Sequence, residues 1–381
     1  MLPMLSQGFL SWIARKQSLL QLLSLFLCLI ASEASNYLSE FLFLEPFSDF
    51  GEVQTLPGKK AAQGTFTANS VLPHGGIGKV YPTINRYNSK YLPSTITVTS
   101  KLVKQLMPPR SSSSRKGDNG IVLVAGGSRF YHGAPVLASM AALRSGADLV
   151  YTAVPRSIIT SVRSFSPAII ALPLPDDKLT VGSANRLAAM LPKRVDTAAI
   201  GMGMSVEQEA IVVLVKKLKE DGTKILLDAS ALIPQIVNEI SNTCSIVTPH
   251  AGEYKRLFGH DPGTTKSEMT SNVRKLAKEY GIIVVLKGWL NVISDGEQTA
   301  IIKRSTPAMT VGGSGDVLSG LAAGLLTKMK PFDAAIVAVY LNGLAGSLAF
   351  KRSGLHIIAT DLVDILPAVI KPFDKVKQER L

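Results

Sequence analysis

Cysteine is almost missing from these 381 residues: Cys28 and Cys244 are the only two. They lie far apart, with no CxxC pair and no Cys/His cluster at metal-ligand spacing, which excludes a disulfide framework and a structural zinc site. Such usage fits a reducing compartment. A dense basic stripe with aromatics between is also lacking. Lys and Arg outnumber Asp and Glu to give a net charge of +13, but they are spread along the chain. That pattern points away from nucleic acid and towards anionic ligands in general. A Walker A loop is missing too: "GGIGKVY" around Lys79 has no Ser or Thr after the lysine and no strand before it.

Acidic residues are absent from positions 1–32. Arg15 and Lys16 there precede the apolar block "QSLLQLLSLFLCLIAS", which is shorter than the ~18–20 residues of a membrane span. A basic flank before a short apolar block suits a signal-like or organelle-targeting segment over residues 1–34. An amphipathic helix or a start placed too far upstream fits equally. A cytoplasmic location is expected, with a mitochondrion or plastid the alternative if the segment is a presequence. No stable membrane span is expected over residues 115–375.

Residues 35–114 show no sustained period and end in "MPPRSSSSRKGDNG", which reads as an irregular extension and linker. Order begins at Ile121. Apolar runs of strand length ("IVLVAGG", "DLVYTAV", "AIIALPL", "TAAIGMG", "KILLDA", "SIVTP") alternate with helical patterns over 134–145, 183–191 and 207–219. Continuous apolar runs mean strands covered on both faces, hence a mostly parallel sheet in a three-layer α/β/α domain. After Gly281, "IIVVLKG", "NVISDG" and "QTAIIKR" follow in quick succession, with Asp295-Gly296 as a hairpin signal. Helices over 314–328, 332–350 and 359–371 close a single domain over 115–375.

Ligands in such sheets sit beyond the carboxyl ends of the strands. Four loops fall there. "AGGSRFYHGAP" and "IGMGMS" are glycine-rich; the second lacks the third glycine of a dinucleotide fingerprint but still suits a backbone cradle. In "TPHAGEYKRLFG", His250 is a candidate ligand contact, while Glu253 reads better as a helix-start charge. In "VVLKGWLNVISDG", Lys287 stands just past a buried strand, placed either to meet phosphate or to emerge into water.

The sharpest signal is "TPAMTVGGSGDVLSGLAAGLL", residues 306–326. Val317, Leu318, Leu321 and Leu325 mark an apolar helix stripe, so the helix starts near Ser314. Gly312, Gly313 and Gly315 leave its first N–H groups open to an anion, as phosphoryl transfer requires. Asp316 lies in the first turn, where the helix dipole keeps a carboxylate ionised and able to take a proton from an alcohol. A bare helix cap would not need three glycines beside it.

"GGSGD" after a hairpin-rich region resembles the anion-hole signature of ribokinase-like small-molecule kinases. Together with "KGDNGIVLVAGGSRFYHGAP", "AALRSGADLV", "TPHAGEYKRLFG" and "VVLKG", it looks more specifically like the ADP/ATP-dependent (S)-NAD(P)H-hydrate dehydratases, over about residues 115–371. The resemblance implies a ribokinase-like fold and a repair reaction. Hydrated NADH or NADPH is phosphorylated on its ring hydroxyl by ADP or ATP, and phosphate then leaves. By motif position, Asp316 would be the base, and the amides of Gly313, Ser314 and Gly315 would hold the moving phosphoryl group. Ala134, Gly203, His250 and Asp316 would contact the hydrated cofactor. Lys287, Gly288, Trp289, Leu290 and Asn291, with Gly312, Gly313, Ser314 and Gly315, would contact the nucleotide. Mg²⁺ is expected with the phosphates, although no side-chain ligand set for it is evident.

Two departures stand out: "GMGMS" replaces the family's frequent "GPGLG", and "DAS" at 228–230 replaces "DAD". His250 resembles prokaryotic members and favours ADP. The region ahead of 115 is too short and irregular for an epimerase domain, so dehydratase activity alone is expected, with a separate NAD(P)HX epimerase as functional partner and a homo-oligomeric state by resemblance. The rival readings are a ribokinase-like vitamin kinase that stops at the phosphorylated alcohol and a non-catalytic nucleotide-binding protein.

Overall fold

The computed structural model describes residues 95–192 and 194–378. The N-terminal segment with Cys28, the extension up to residue 94 and the loop around Lys79 lie outside the described residues. Cys244 is free and exposed.

Among the described residues, ten strands form one sheet: β1 (Thr95–Thr97), β3 (Ile121–Ala125), β4 (Leu149–Pro155), β5 (Ile170–Leu174), β6 (Thr197–Ile200), β7 (Lys224–Leu227), β8 (Ile246–Val247), β9 (Ile283–Leu286), β10 (Leu290–Ser294) and β11 (Thr299–Lys303). Their order is β1-β11-β10-β9-β8-β7-β6-β3-β4-β5, and β10 alone runs against the rest. A small second pairing joins β2 (Arg110–Ser111) to β12 (Val376–Lys377).

Strand geometry sends successive side chains to opposite faces. Val122 and Val124 enter one core while Leu123 and Ala125 enter the other; Leu226 and its neighbours Ile225 and Leu227 divide the same way, as do Ile283 and Val285 against Val284 and Leu286. Burial on both sides is why these strands read as unbroken apolar runs. The first face is covered by α2 (Gly133–Arg144), α9 (Ser314–Leu326), α10 (Pro331–Ser353) and α11 (Ala359–Ile370). The second carries α4 (Val181–Met190), α5 (Gln208–Glu220), α6 (Ile236–Ile240), α7 (Ala251–Phe258) and α8 (Lys266–Tyr280). Helix α3 (Ile159–Phe165) adds Ile159 and Val162 to a smaller cluster with Val136 and Val154. Helix α10 is long and apolar enough to cross a membrane, but 67% of that window is buried inside the fold.

The boundary expected at 115 falls inside the folded unit. Strand β1 pairs in parallel with β11, and the following helix α1 (Ser100–Leu106) packs on α10, with Val103 and Met107 in the core. The serine loop is tied down by Asp148, which accepts from the N–H groups of Gly117 (2.8 Å) and Asn119 (2.9 Å) and pairs with Arg110 at 2.9 Å. The Asp295-Gly296 turn joins β10 to β11 as the hairpin signal predicts, with Gly296 in the left-handed region at φ +92°.

The small residues of α9 have a packing cause. A Cβ on Gly320 would overlap the carbonyl of Ala138, and one on Gly324 would overlap the hydroxyl of Ser145. The two glycines let α9 lie directly on α2. That contact holds the helix's first turn at the carboxyl edge of the sheet.

Candidate active site

The chain moves outward from β3 to β4 and β5, then returns to place β6 on the other side of β3. The loops after β3 and β6 therefore diverge at a topological switch point, where open α/β sheets bind ligands. Gly127 N–H donates to Met202 O at 2.8 Å, joining the two loops. Gly203 sits at φ +62°, and a Cβ there would lie 2.8 Å from Tyr131 Cβ and 2.9 Å from Ala134 Cβ. Ala134 and Gly203, remote in sequence, thus face each other. Met202 and Met204 of the departing "GMGMS" loop are buried in the two cores. The loop's cradle is made by backbone, and the methionines serve packing.

Gly313 caps α9 in the left-handed conformation, φ +93°. A Cβ there would approach Ala359 and Leu137 Cδ1, each at 2.7 Å, with Asp316 Oδ2 at 4.0 Å. Leu137 is one turn along α2 from Ala134, so the substrate loops and the acid share one face of the cleft. Val317 N–H bonds back to Gly313 O at 3.0 Å, which leaves the N–H groups of Gly315 and Asp316 ahead of it as helix-start donors. Ser314 is held by its hydroxyl, donating to Met309 O at 3.0 Å.

On the other side of this turn lies a cavity of about 340 Å³. Its polar lining includes His250, Lys287, Asn291, Lys303, Arg304 and Ser314, with Gly288 and Gly315, and Met309, Leu318 and Val339 supply apolar wall. Asn342 also lines it, and its buried Oδ1 has no hydrogen-bond partner. Of the other residues expected at the nucleotide, Trp289 is exposed outside the lining, Leu290 is buried in the core, and Gly312 and Gly313 are in the turn but not on the wall.

Lys287 does not emerge into water. It follows β9, its N–H donates to Pro249 O at 2.8 Å, and its Nζ pairs with Asp228 Oδ1 at 2.7 Å and Glu253 Oε2 at 3.8 Å. Burial works against its charge, but Asp228 and Glu253 more than offset this and hold it above the usual lysine range. The ammonium lies 3.5 Å from where a Cβ on Gly315 would stand, which is ordinary van der Waals contact and sets it directly beside the turn. Asp228 was not a sequence candidate; it is 2% exposed at the end of β7 and also accepts from Ser319 Oγ at 2.8 Å. Its signal was the "DAS" motif, whose partners are remote.

Glu253 is the helix-start charge expected, and it has a second contact. It closes a capping box with His250, accepting from His250 N–H at 2.9 Å while His250 Nδ1 accepts from the N–H groups of Gly252 (3.0 Å) and Glu253 (3.2 Å). It also faces Lys287. The imidazole remains largely exposed and lines the cavity.

The helix start does not hold Asp316 low as expected: it is pushed up to about 7 by burial first, then by Asp228 and Glu253, with Lys287 opposing. A carboxyl group in that range can exchange a proton near neutrality. The cleft therefore joins a general base, an anion-binding helix start and a fixed cation. Among the described residues no cluster of three carboxylate, imidazole or thiol groups forms a metal site.

Comparison with known proteins gives the family and the fold. The chain matches the NAD(P)H-hydrate dehydratase family over residues 122–368. It is 52% identical over 282 residues to an ADP-dependent (S)-NAD(P)H-hydrate dehydratase of Nitrosopumilus maritimus, covering 74% of this chain and 98% of the relative. Among solved structures, the ADP/ATP-dependent NAD(P)H-hydrate dehydratase of Bacillus subtilis, co-crystallized with ATP/Mg²⁺, aligns at TM-score 0.63 and 27% identity, covering 72% of this chain and 98% of that one. A ribokinase-like superfamily protein of Enterococcus faecalis shares the fold at TM-score 0.63 and 21% identity, over 76% of this chain and 100% of its own. With its three-layer ribokinase-like fold and these matches, the chain belongs to the NAD(P)H-hydrate dehydratase family.

Proposed function

We propose that this chain converts the S epimer of hydrated NADH or NADPH back to the reduced cofactor, using ADP as phosphoryl donor. The observation that carries the reading is Asp316: a partly buried carboxyl group, near-neutral in proton affinity, in the first turn of a glycine-capped helix. Substrate lies against the surface that Ala134 and Gly203 form together, with its ring hydroxyl towards Asp316. The nucleotide enters the cavity beside Lys287, its phosphates at the cationic end and its base at the apolar end.

Asp316 accepts the hydroxyl proton as that oxygen bonds to the terminal phosphorus. The bridging P–O bond breaks and AMP leaves with the electron pair. Negative charge on the moving group is met by the N–H groups at the start of α9 and by Lys287, each such donor being worth about 10²–10³ in rate. The ring C–O bond then breaks, and phosphate leaves with the pair. Loss of a proton from the neighbouring carbon restores the double bond. A divalent cation accompanying the nucleotide would be held mainly by phosphate oxygens, since the protein supplies no three-ligand cluster among the described residues. ADP as donor is supported by the name of the Nitrosopumilus relative; the Bacillus enzyme is named for both nucleotides.

The test is an assay of purified chain with hydrated NADH, Mg²⁺ and either ADP or ATP. The reading expects reduced-nicotinamide absorbance to return with ADP. No return with either nucleotide would overturn it. Accumulation of a phosphorylated alcohol from another substrate would instead support a vitamin-kinase activity.

A further inference from the structure

The dehydratase reading uses Asp316, the glycine turn and Lys287, but it leaves Asp228 and Ser319 without a task. Both are buried, Ser319 completely, and Asp228 touches Lys287 directly. Asp228 spends its two oxygens on different elements: Oδ1 on the Lys287 ammonium at 2.7 Å, Oδ2 on the Ser319 hydroxyl at 2.8 Å. Ser319 is three residues beyond Asp316 on α9, hence on the same helix face. The carboxylate therefore ties the lysine to the second turn of the very helix whose first turn carries the base.

Lys287 has three anions around it: Asp228 after β7, Glu253 on α7 and Asp316 on α9. Asp228 makes the shortest contact, while Glu253 stands at 3.8 Å and is already engaged with the His250 N–H. Without the Asp228 anchor, the ammonium is left between Glu253 and Asp316. Any approach to Asp316 would neutralise the base and draw the cation away from the phosphate site.

We propose that Asp228, oriented by Ser319, is a positioning residue. It holds Lys287 over the glycine turn, available to phosphate, and keeps it from collapsing onto Asp316. The inference rests on the proposed reaction but is separable from it. A structural role alone would cost folded protein without altering the chemistry of what remains folded. A positioning role moves two further readouts. In Asp228→Asn, ADP should bind at least about tenfold more weakly, because the lysine is diverted. The acid limb of kcat/KM should also move to lower pH, because Asp316 loses an anionic neighbour and gains a cationic one. The groups facing Asp316 are Asp228, Lys287 and Glu253, so the limb can be assigned by substitution.

The experiment measures ADP affinity by calorimetry and the pH dependence of kcat/KM for wild type, Asp228→Asn, Ser319→Ala and Asp228→Asn/Lys287→Met, with circular dichroism to verify folding. The proposal expects Ser319→Ala to shift both readouts in the same direction but less. It also expects the acid-limb shift of Asp228→Asn to shrink when Lys287 is removed. Should Asp228→Asn not fold, Ser319→Ala, which keeps the charge, decides the matter. Folded variants with wild-type ADP affinity and an unmoved acid limb overturn the proposal. Wild type that binds ADP but restores no cofactor overturns the dehydratase reading alone, and the ADP affinities still judge the positioning role.

Discussion

Replacing Asp316 by Asn should destroy activity and, above neutral pH, stabilise the protein. The carboxyl group's proton affinity rises from an ordinary 3.8 to about 7 on folding, chiefly through burial and then the Asp228 charge. At ~1.4 kcal/mol for each tenfold in the ionisation constant, ionised Asp316 costs the native state at most ~4 kcal/mol. Water reaching the cleft screens part of this, so about 2 kcal/mol is the expected gain for Asp316→Asn at about pH 8. The sign follows from a folded affinity above the unfolded one. The native state holds the extra proton between about pH 4 and about pH 7, so the cost is absent below that window, grows through it and is complete above it. At about pH 4.5 the gain should shrink to well under about 1 kcal/mol. Thermal denaturation of both proteins across this range would read the difference as about 4–8 °C at the alkaline end. A variant less stable than wild type at about pH 8, or one with the same gain at every pH, would refute the reasoning.

The geometry dictates three other outcomes. The kcat/KM profile of wild type should fall about tenfold per pH unit below about pH 7, since only ionised Asp316 accepts the proton; a flat profile down to about pH 5 would remove Asp316 as the base. Gly313→Ala should cost about 1–3 kcal/mol in urea denaturation, from a side chain forced to φ +93° and a Cβ 2.7 Å from Leu137 and Ala359. Gly320→Val should destabilise by more than about 2 kcal/mol in the same assay, because its side chain would displace α9 from the Ala138 carbonyl on α2.

The sheet was legible because both faces of β3, β4 and β6 to β9 are buried, which writes itself into sequence as unbroken apolar runs. The "GGSGD" turn was legible because a helix stripe and its glycine-rich start are local. The edge at β1 was not. Strand β1 is three residues with only Ile96 partly covered, and α1 buries Val103 alone, so neither leaves a periodic pattern. Helix α8 had a readable signal that went unused: Thr265 and Glu268 form a capping box, and Gly281 ends the helix in the left-handed region. Asp228 is a different case. Its partners lie 59 and 91 residues further on, and only the folded sheet brings Lys287 and Ser319 to it. The same holds for Lys287, whose choice between water and a buried anion depends on which strand stands beside its own.

The central claim is that phosphate is put on the ring hydroxyl only to be lost again. The direct measurement tracks three products together from (S)-hydrated NADH and ADP: NADH by absorbance, AMP by chromatography and inorganic phosphate by release assay. The account predicts equal amounts of all three, and none of them with Asp316→Asn beyond a residue lower by about 10²–10⁴. NADH returning without AMP, or a phosphorylated product accumulating without NADH, would contradict it.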